Sequence, residues 1–284
     1  MILDYPAFQD GSFCKIRDLQ VSILDLGFIH SDATYDVISI RDGEFVDLDS
    51  HLNRFAKSCH GWRIPLKYSN ADIEAILRVL LVKMPLDIRD CLVWICATRG
   101  IPSSGNPRDL PSCEPKFYAY IKPYFGFNSL NTATVCLAKQ KRNDCIDQTM
   151  KNFAWNDLNL AQWEAIDRGY DTALLLDRHY NITEGPGFNV GFISKDGFVY
   201  APRSNRLQGT SMERVRKVCE ANGKQFFYAD ISEFTVRHEI DAMFLTSTAG
   251  TVIPVTKFED MILSLIHISE PTRQAEISYA VFCL

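Results

Sequence analysis

Two of the chain's three Asp-Gly dipeptides set the first constraint on its fold. Asp42-Gly43 lies in "SIRDGEFVDL" and Asp196-Gly197 in "GFISKDGFVY", each between short apolar runs. Asp-Gly supplies the two positive-φ positions of a tight hairpin turn, so each dipeptide predicts two antiparallel strands. The segments around them alternate with helical patterns. After the first turn, Asp49 or Ser50 can cap a helix whose apolar face carries Leu52, Phe55, Ala56 and Cys59. "NADIEAILRVLLVKM" predicts a second helix with Asn70 as its cap. "CLVWICATRG" and "PKFYAYIKPY" read as strands joined by the loop "IPSSGNPRDLPS", and "FCKIRDLQVSILD" has strand character around Gln20 to Leu24.

The second half repeats the mixture. "ATVCLAKQKR", "DTALLLD", "VGFISKDGFVYAP" and "DAMFLTSTAGTVIPV" read as strands. "DLNLAQWEAIDRG", with Ala161, Ala165 and Ile166 apolar, and "GTSMERVRKVCEANG", which closes on a C-cap glycine, read as helices. The expectation is a two-domain α/β (α+β) protein. A smaller N-terminal α/β domain spans 1–122, a crossing 123–130, and a larger β-rich domain 131–262.

Composition excludes several classes. The 284 residues carry a net charge of −5 with acids and bases interspersed, which gives no footprint for nucleic acid. No apolar run reaches the length of a membrane span. None of the nine cysteines forms a C-x-x-C pair and the six histidines are scattered, so no metal site is expected. "MILDYPAFQD" lacks the flank and core of a signal peptide, and the cysteines read as reduced thiols in the cytoplasm. The stretch 263–284, "LSLIHISEPTRQAEISYAVFCL", breaks continuity with "PVTKFEDM" and resembles a translated sequencing adapter. It is set aside as non-native. The natural protein is expected to continue past Met261, and Met1 to be internal to a longer natural start.

Five stretches can carry chemistry. In "TMKNFAWNDL", Lys151 stands near Phe153 and Trp155, where desolvation would favour a nucleophilic amine. A lysine snorkelling from a strand end gives the same pattern. In "NITEGPGFNV", Glu184 edges a turn made tight by Gly185 and Gly187, as a ligand-facing acid or a solvated one. "RLQGTSMER" opens a helix with Gly209, Thr210 and Ser211, an anion cup or an ordinary cap. "TSTAGT" adds hydroxyls, Thr248 among them, and Arg54 in "HLNRF" stands near a helix start, where the dipole offers a cation nothing. An imine-forming lysine, an acid in a glycine turn and several phosphate-binding elements together describe a pyridoxal phosphate site.

In this order, with "LDLGFIHSDATYDV", "LDSHLNRF", "ATRG" and "FLTSTAGTVIPV" alongside, the chain resembles the class IV (fold type IV) pyridoxal-phosphate aminotransferases. "GFIHSDATYDV" and "KNFAWNDL" resemble the branched-chain-like and (R)-amine transaminase subgroup. The resemblance implies a fold type IV homodimer with pyridoxal 5′-phosphate in the cleft between its domains. It implies amino transfer between a branched-chain amino acid or (R)-amine and a 2-oxo acid. Lys151 would bond the cofactor and carry the proton, and Glu184 would pair with the pyridine nitrogen. Arg54, Gly209, Thr210, Ser211 and Thr248 would hold the phosphate; Tyr35, His30 and Arg108 would line the substrate pocket. The tyrosine that many branched-chain members carry just after the lysine is absent from "NFAWND". A pyridoxal-phosphate lyase of the aminodeoxychorismate type and a D-amino-acid transaminase share these motifs and stay open as alternatives. So does a cofactor-binding protein without catalysis.

Overall fold

The computed structural model describes residues 2–124, 131–249 and 251–263. Residues 125–130 of the expected crossing and 264–284 of the expected tail lie outside the described residues. The chain forms two compact units: Met1–Phe125 with Met150–Ala154, and Gly126–Thr149 with Trp155–Leu284. The short segment that contains Lys151, expected in the second domain, therefore belongs to the first unit.

The first unit is a six-stranded antiparallel sheet under helices. Its elements are β1 (Pro6–Gln9), β2 (Ser12–Lys15), α1 (Leu26–Ile29), β3 (Ala33–Arg41), β4 (Glu44–Phe45), α2 (Leu48–Gly61), α3 (Asn70–Val82), β5 (Cys91–Pro102) and β6 (Cys113–Pro123). The order across the sheet is β2-β1-β6-β5-β3-β4. Asp42 and Gly43 have φ of 51° and 83°, as the hairpin turn between β3 and β4 requires. Leu52 and Phe55 of α2 pack with Ile73, Leu77 and Leu80 of α3 on Ile38, Val93, Ile95 and Phe117 of the sheet. Each such side chain removed from water contributes about 1.5–3 kcal/mol.

Three local expectations fail for physical reasons. Residues 20–24 form no strand; Val21, Ile23 and Leu24 are exposed, and the Gln20 backbone bonds instead to the Gln9 side chain. Ser69, one residue before Asn70, caps α3, because its pairing with Asp72 satisfies both ends of a capping box. The cap of α2 is Asp47 in the left-handed region at φ 52°, and Ala56 faces solvent.

The second unit holds a nine-stranded mixed sheet. Its elements are β7 (Ala133–Lys141), α4 (Asn156–Asp167), β8 (Thr172–Leu176), β9 (Glu184–Gly185), β10 (Phe188–Ser194), β11 (Val199–Pro202), α5 (Thr210–Ala221), β12 (Phe226–Ala229), α6 (Glu233–Glu239), β13 (Ile240–Ser247), β14 (Thr251–Phe258) and β15 (Met261–Ile262). The main path is β12-β11-β10-β13-β14-β7-β8, with β9 paired to β10 and β15 to β14. Met212, Val215 and Cys219 bury the apolar face of α5 against Ile193, Val199 and Phe244. Leu158, Ala161 and Ala165 bury that of α4 against Cys136 and Ala173, while Ile166 is exposed. Leu263, the first residue of the expected tail, is buried in the main core of this unit, and its N–H donates to the Thr256 carbonyl at 2.9 Å.

Candidate active site

In the first unit, β3 and α2 arrange the residues around Lys151. The Lys151 N–H donates to Ser58 Oγ at 3.1 Å, and its carbonyl accepts from Thr34 Oγ1 at 2.7 Å. Ser58 and Thr34 are fully buried, so the lysine backbone is fixed in place. Its Nζ lies 4.4 Å from the centre of the Tyr35 ring. That ring stacks on Trp94 at 5.1 Å and meets Phe153 at 4.9 Å. The ring that meets the Lys151 amine is that of Tyr35, with the expected Phe153 packed against it.

Arg54 lies one turn before Ser58 on α2, and Ser58 Oγ donates to the Arg54 carbonyl. Its Nε and Nη2 grip Asp36 at 2.8 and 2.7 Å, and Asp36 Oδ1 also meets His51 Nδ1 at 2.9 Å. Burial works against an ionised Asp36, but the Arg54 guanidinium and His51 outweigh it and hold the carboxyl well below the usual range. Burial likewise opposes the charge on Arg54, and Asp36 overcomes it and pushes its pKa up. The remaining pocket candidates of this unit lie on the surface. His30 is the exposed C-cap of α1, and Arg108 is exposed in the loop between β5 and β6, where its N–H donates to Asn106 Oδ1.

In the second unit, Glu184 is buried at 5 % exposure. The turn that follows it has Pro186, whose ring fixes φ, and Gly187 at φ 85°, the signature of a turn that needs glycine in its third place. Gly185 is required by space, because a Cβ would come within 2.2 Å of the Phe188 ring. Glu184 pairs across the sheet with Asn189, and Asn189 with Thr246. Cross-strand partners share a face, so three buried polar side chains form one row.

Each Glu184 oxygen has protein partners. Arg142 Nε donates to Oε1 at 2.9 Å; the Leu207 N–H donates to Oε2 at 2.9 Å, and Asn189 Nδ2 lies 3.4 Å from Oε2. Asn189 Nδ2 also donates to the Leu207 carbonyl at 3.0 Å. The acid thereby ties down the loop that leads to Gly209, the N-cap of α5. Gly209 has an ordinary φ, but a Cβ there would lie 1.9 Å from Asn189 Oδ1. Thr210 and Ser211 follow in the first turn of α5, and Thr248 lies in the turn between β13 and β14. The Thr246 hydroxyl is buried and makes no hydrogen bond.

Sequence reasoning missed Asp36, Arg142 and Asn189, and it marked Thr246 only as one hydroxyl of the "TSTAGT" turn. Asn189 and Thr246 lie inside quoted motifs, and their alternation with apolar neighbours could have placed them on the Glu184 face. Arg142 follows Lys139 and Lys141 just past a strand, and nothing local distinguishes it from a solvated cation. Among the described residues, no helix is long and apolar enough to cross a membrane. No group of His, Cys, Asp and Glu side chains among them is disposed to hold a metal ion.

Residues 33–258 match the family described as Amino-transferase class IV. A Methanocaldococcus jannaschii protein named "Putative branched-chain-amino-acid aminotransferase" is 25% identical over 277 residues, 94% of this chain and 92% of that protein. The D-alanine aminotransferase of Staphylococcus haemolyticus is 26% identical over 278 residues, 95% of this chain and 94% of that enzyme. The branched-chain aminotransferase of the thermophilic archaeon Thermoproteus uzoniensis, solved with norvaline, superposes with a TM-score of 0.85 at 17% identity, over 92% of this chain and 89% of that one. That last likeness is one of fold, and the fold is type IV.

Proposed function

Because the chain belongs to the class IV amino-transferase family and is an aminotransferase, we propose that it holds pyridoxal 5′-phosphate with the residues described above and takes an amino donor with an apolar side group. A branched-chain amino acid or an (R)-amine is such a donor, and a 2-oxo acid is the acceptor. When bound, the cofactor supplies an electron sink for the donor Cα.

The residues fit that group. Glu184 has three donors near its two oxygens, whereas a carboxylate offers about four acceptor directions. It can therefore take one more N–H, as a protonated ring nitrogen would offer. The buried Thr246 hydroxyl, unbonded in the same row, has capacity for a ligand. Asp36 fixes the Nε and Nη2 edge of Arg54, so the guanidinium is oriented before a phosphate arrives.

The observation that carries the reading is the Lys151 amine over the Tyr35 ring, with its backbone clamped on both sides. Lys151 supplies the amine that condenses with a carbonyl and, once freed, moves the proton at the donor Cα through Nζ. Tyr35, Trp94 and Phe153 give the donor an apolar neighbour. A homodimer is supported by the exposed apolar side chains of Val21, Ile23, Leu24, Phe28 and Ile29. A reducing, cytoplasmic location is supported by the cysteines. The eight described ones are free thiols, and burial pushes Cys59 up to about 12.

Borohydride reduction of the loaded protein, followed by peptide mapping, tests the site. The pyridoxyl label is expected on Lys151, and a label on Lys139 or Lys141 would overturn the assignment. A donor panel of L-branched-chain amino acids, D-amino acids and (R)-amines tests the substrate. Activity is expected to require a 2-oxo acid; turnover without one would identify a lyase.

A further inference from the structure

Arg142 stands just past β7, and its N–H donates to the Leu176 carbonyl at 2.9 Å. Its side chain is 5 % exposed and is held on every edge of the guanidinium. Nε donates to Glu184 Oε1 at 2.9 Å, Nη1 to Asp157 Oδ2 at 2.6 Å, and Nη2 to Gln148 Oε1. The two anchors are themselves fixed. Asp157 Oδ2 accepts the Asn143 N–H at 2.8 Å, and Gln148 Nε2 donates to the Asn143 carbonyl at 2.6 Å.

This is more than one buried ion pair needs. Two carboxylates at 7 % and 6 % side-chain exposure face a single guanidinium, an excess of one acid in a nearly dry site. Burying an unmatched negative charge is costly, and a cluster serving the fold alone would be cheaper with one acid. The excess makes sense if a cation joins the cluster. Asp157 and Gln148 pin the guanidinium, and the guanidinium in turn pins Oε1 of Glu184. The Leu207 N–H and Asn189 settle Oε2, so the direction of the one remaining acceptor position is fixed.

We propose that Arg142 is a positioning residue for Glu184, aiming its carboxylate at the N–H of a cationic ring in the bound cofactor. The proposal rests on the pyridoxal phosphate reading. Arg142 itself touches neither donor nor cofactor in this scheme. Its effect should therefore vanish when Glu184 has lost its charge.

The test is a double-mutant cycle of Arg142→Gln and Glu184→Gln in the loaded full chain. Three properties are measured: the single-turnover half-reaction with an amine donor, the pH dependence of the cofactor's visible absorption, and the melting temperature of the apoprotein. Arg142→Gln should slow the half-reaction roughly 10-fold or more and shift the absorption titration. Glu184→Gln should slow it by about 10²–10³-fold, the scale of deleting one preorganised electrostatic group. The double variant should be no slower than Glu184→Gln alone. Arg142→Lys keeps the charge and loses the fork, so it should restore part of the rate. If Arg142→Gln does not fold, Arg142→Lys takes its place in the same cycle.

Losses that multiply in the double variant would overturn the proposal. So would a variant with a lowered melting temperature but parental half-reaction and absorption titration, because Arg142 would then serve only the fold. A parent protein that transfers amino groups without taking up pyridoxal phosphate overturns the cofactor reading and the proposal with it. A parent that takes up the cofactor and is active, paired with a failed cycle, overturns the proposal alone.

Discussion

The two units each bury an arginine against carboxylate, and they do so in opposite proportion. In the first, Asp36 meets Arg54 and His51, so one acid faces two nitrogen bases. In the second, Glu184 and Asp157 meet Arg142, so two acids face one base. The first arrangement orients a guanidinium: Asp36 is wholly buried and the arginine is the partner at 10 % side-chain exposure. The second orients a carboxylate, with the arginine locked behind it. An arginine steadied by an acid suits an anion, and an acid steadied by an arginine suits a cation.

The sharpest way to break this contrast is Glu184→Gln. The substitution is nearly isosteric but chemically awkward. Arg142 Nε donates to one oxygen and the Leu207 N–H to the other, so the new NH2 group must face a donor in either orientation. At saturating cofactor the half-reaction should fall by about 10²–10³-fold. Cofactor affinity should change by less than about 10-fold, since the groups proposed to meet the phosphate are untouched. The reverse pattern, lost affinity with a preserved rate, would exchange the roles of the two clusters.

Next in size is Arg54. Charge-assisted bonds contribute about 1.5–3 kcal/mol and neutral ones about 1. Arg54→Lys keeps a cation beside Asp36 and loses the planar fork, so cofactor affinity should drop about 10-fold or more. Ser211→Ala and Thr248→Ala should each cost about 5-fold. Titration of the three apoproteins gives the order. An Arg54→Lys protein that binds as well as the parent would make this arginine a structural partner of Asp36 and nothing else.

Why could the sequence show one cluster better than the other? Lys151, Glu184 and the Gly209 loop lie in compact motifs, where turn chemistry and spacing mark them. The hairpin at Asp42-Gly43 and the helix faces of Leu52 and Phe55 were legible for the same reason, since they depend on neighbours in the chain. Arg142 was not. Its partners Gln148, Asp157 and Glu184 are 6, 15 and 42 residues away, and only the closed sheet brings them together. Asp36 reads as a polar interruption of an apolar strand until α2 supplies Arg54 and His51. The strand expected at Gln20 to Leu24 shows the opposite error. Its apolar residues imitate a core strand, yet they stay on the surface because no strand pairs with them.

Asp36 also makes the contrast visible in acid. Its folded pKa is depressed and its unfolded value is near 4. Between those values the unfolded chain binds more protons, so this contribution rises with pH; it is complete above about pH 4 and is lost as the pH falls toward the folded value. Asp36→Asn should flatten the stability curve between about pH 2 and 4 by up to ~1.4 kcal/mol per pH unit, and leave its slope above pH 5 alone. Urea unfolding across that range measures it. A parental slope in the variant would mean that Arg54 and His51 do not hold Asp36 as the geometry indicates.

The smallest effect expected comes from Thr246, and it separates a ligand-facing hydroxyl from a structural one. Thr246 stands at the end of the row that begins with Glu184 and passes through Asn189. Its hydroxyl is buried and bonded to nothing in the protein. Such a group costs the apoprotein free energy, about 1–3 kcal/mol if wholly desolvated and less where water reaches it. Thr246→Val keeps the branched shape and removes the oxygen. The apoprotein should be as stable as the parent or more stable by up to about 1 kcal/mol. Cofactor affinity should fall about 5-fold, the value of one neutral hydrogen bond. Both quantities come from one pair of melting curves, with and without pyridoxal phosphate, because a ligand that binds only the folded state raises stability in proportion to the logarithm of its affinity. An apoprotein weakened by the valine would mean that the hydroxyl serves the sheet. A gain in stability with unchanged affinity would remove Thr246 from the proposed cofactor site.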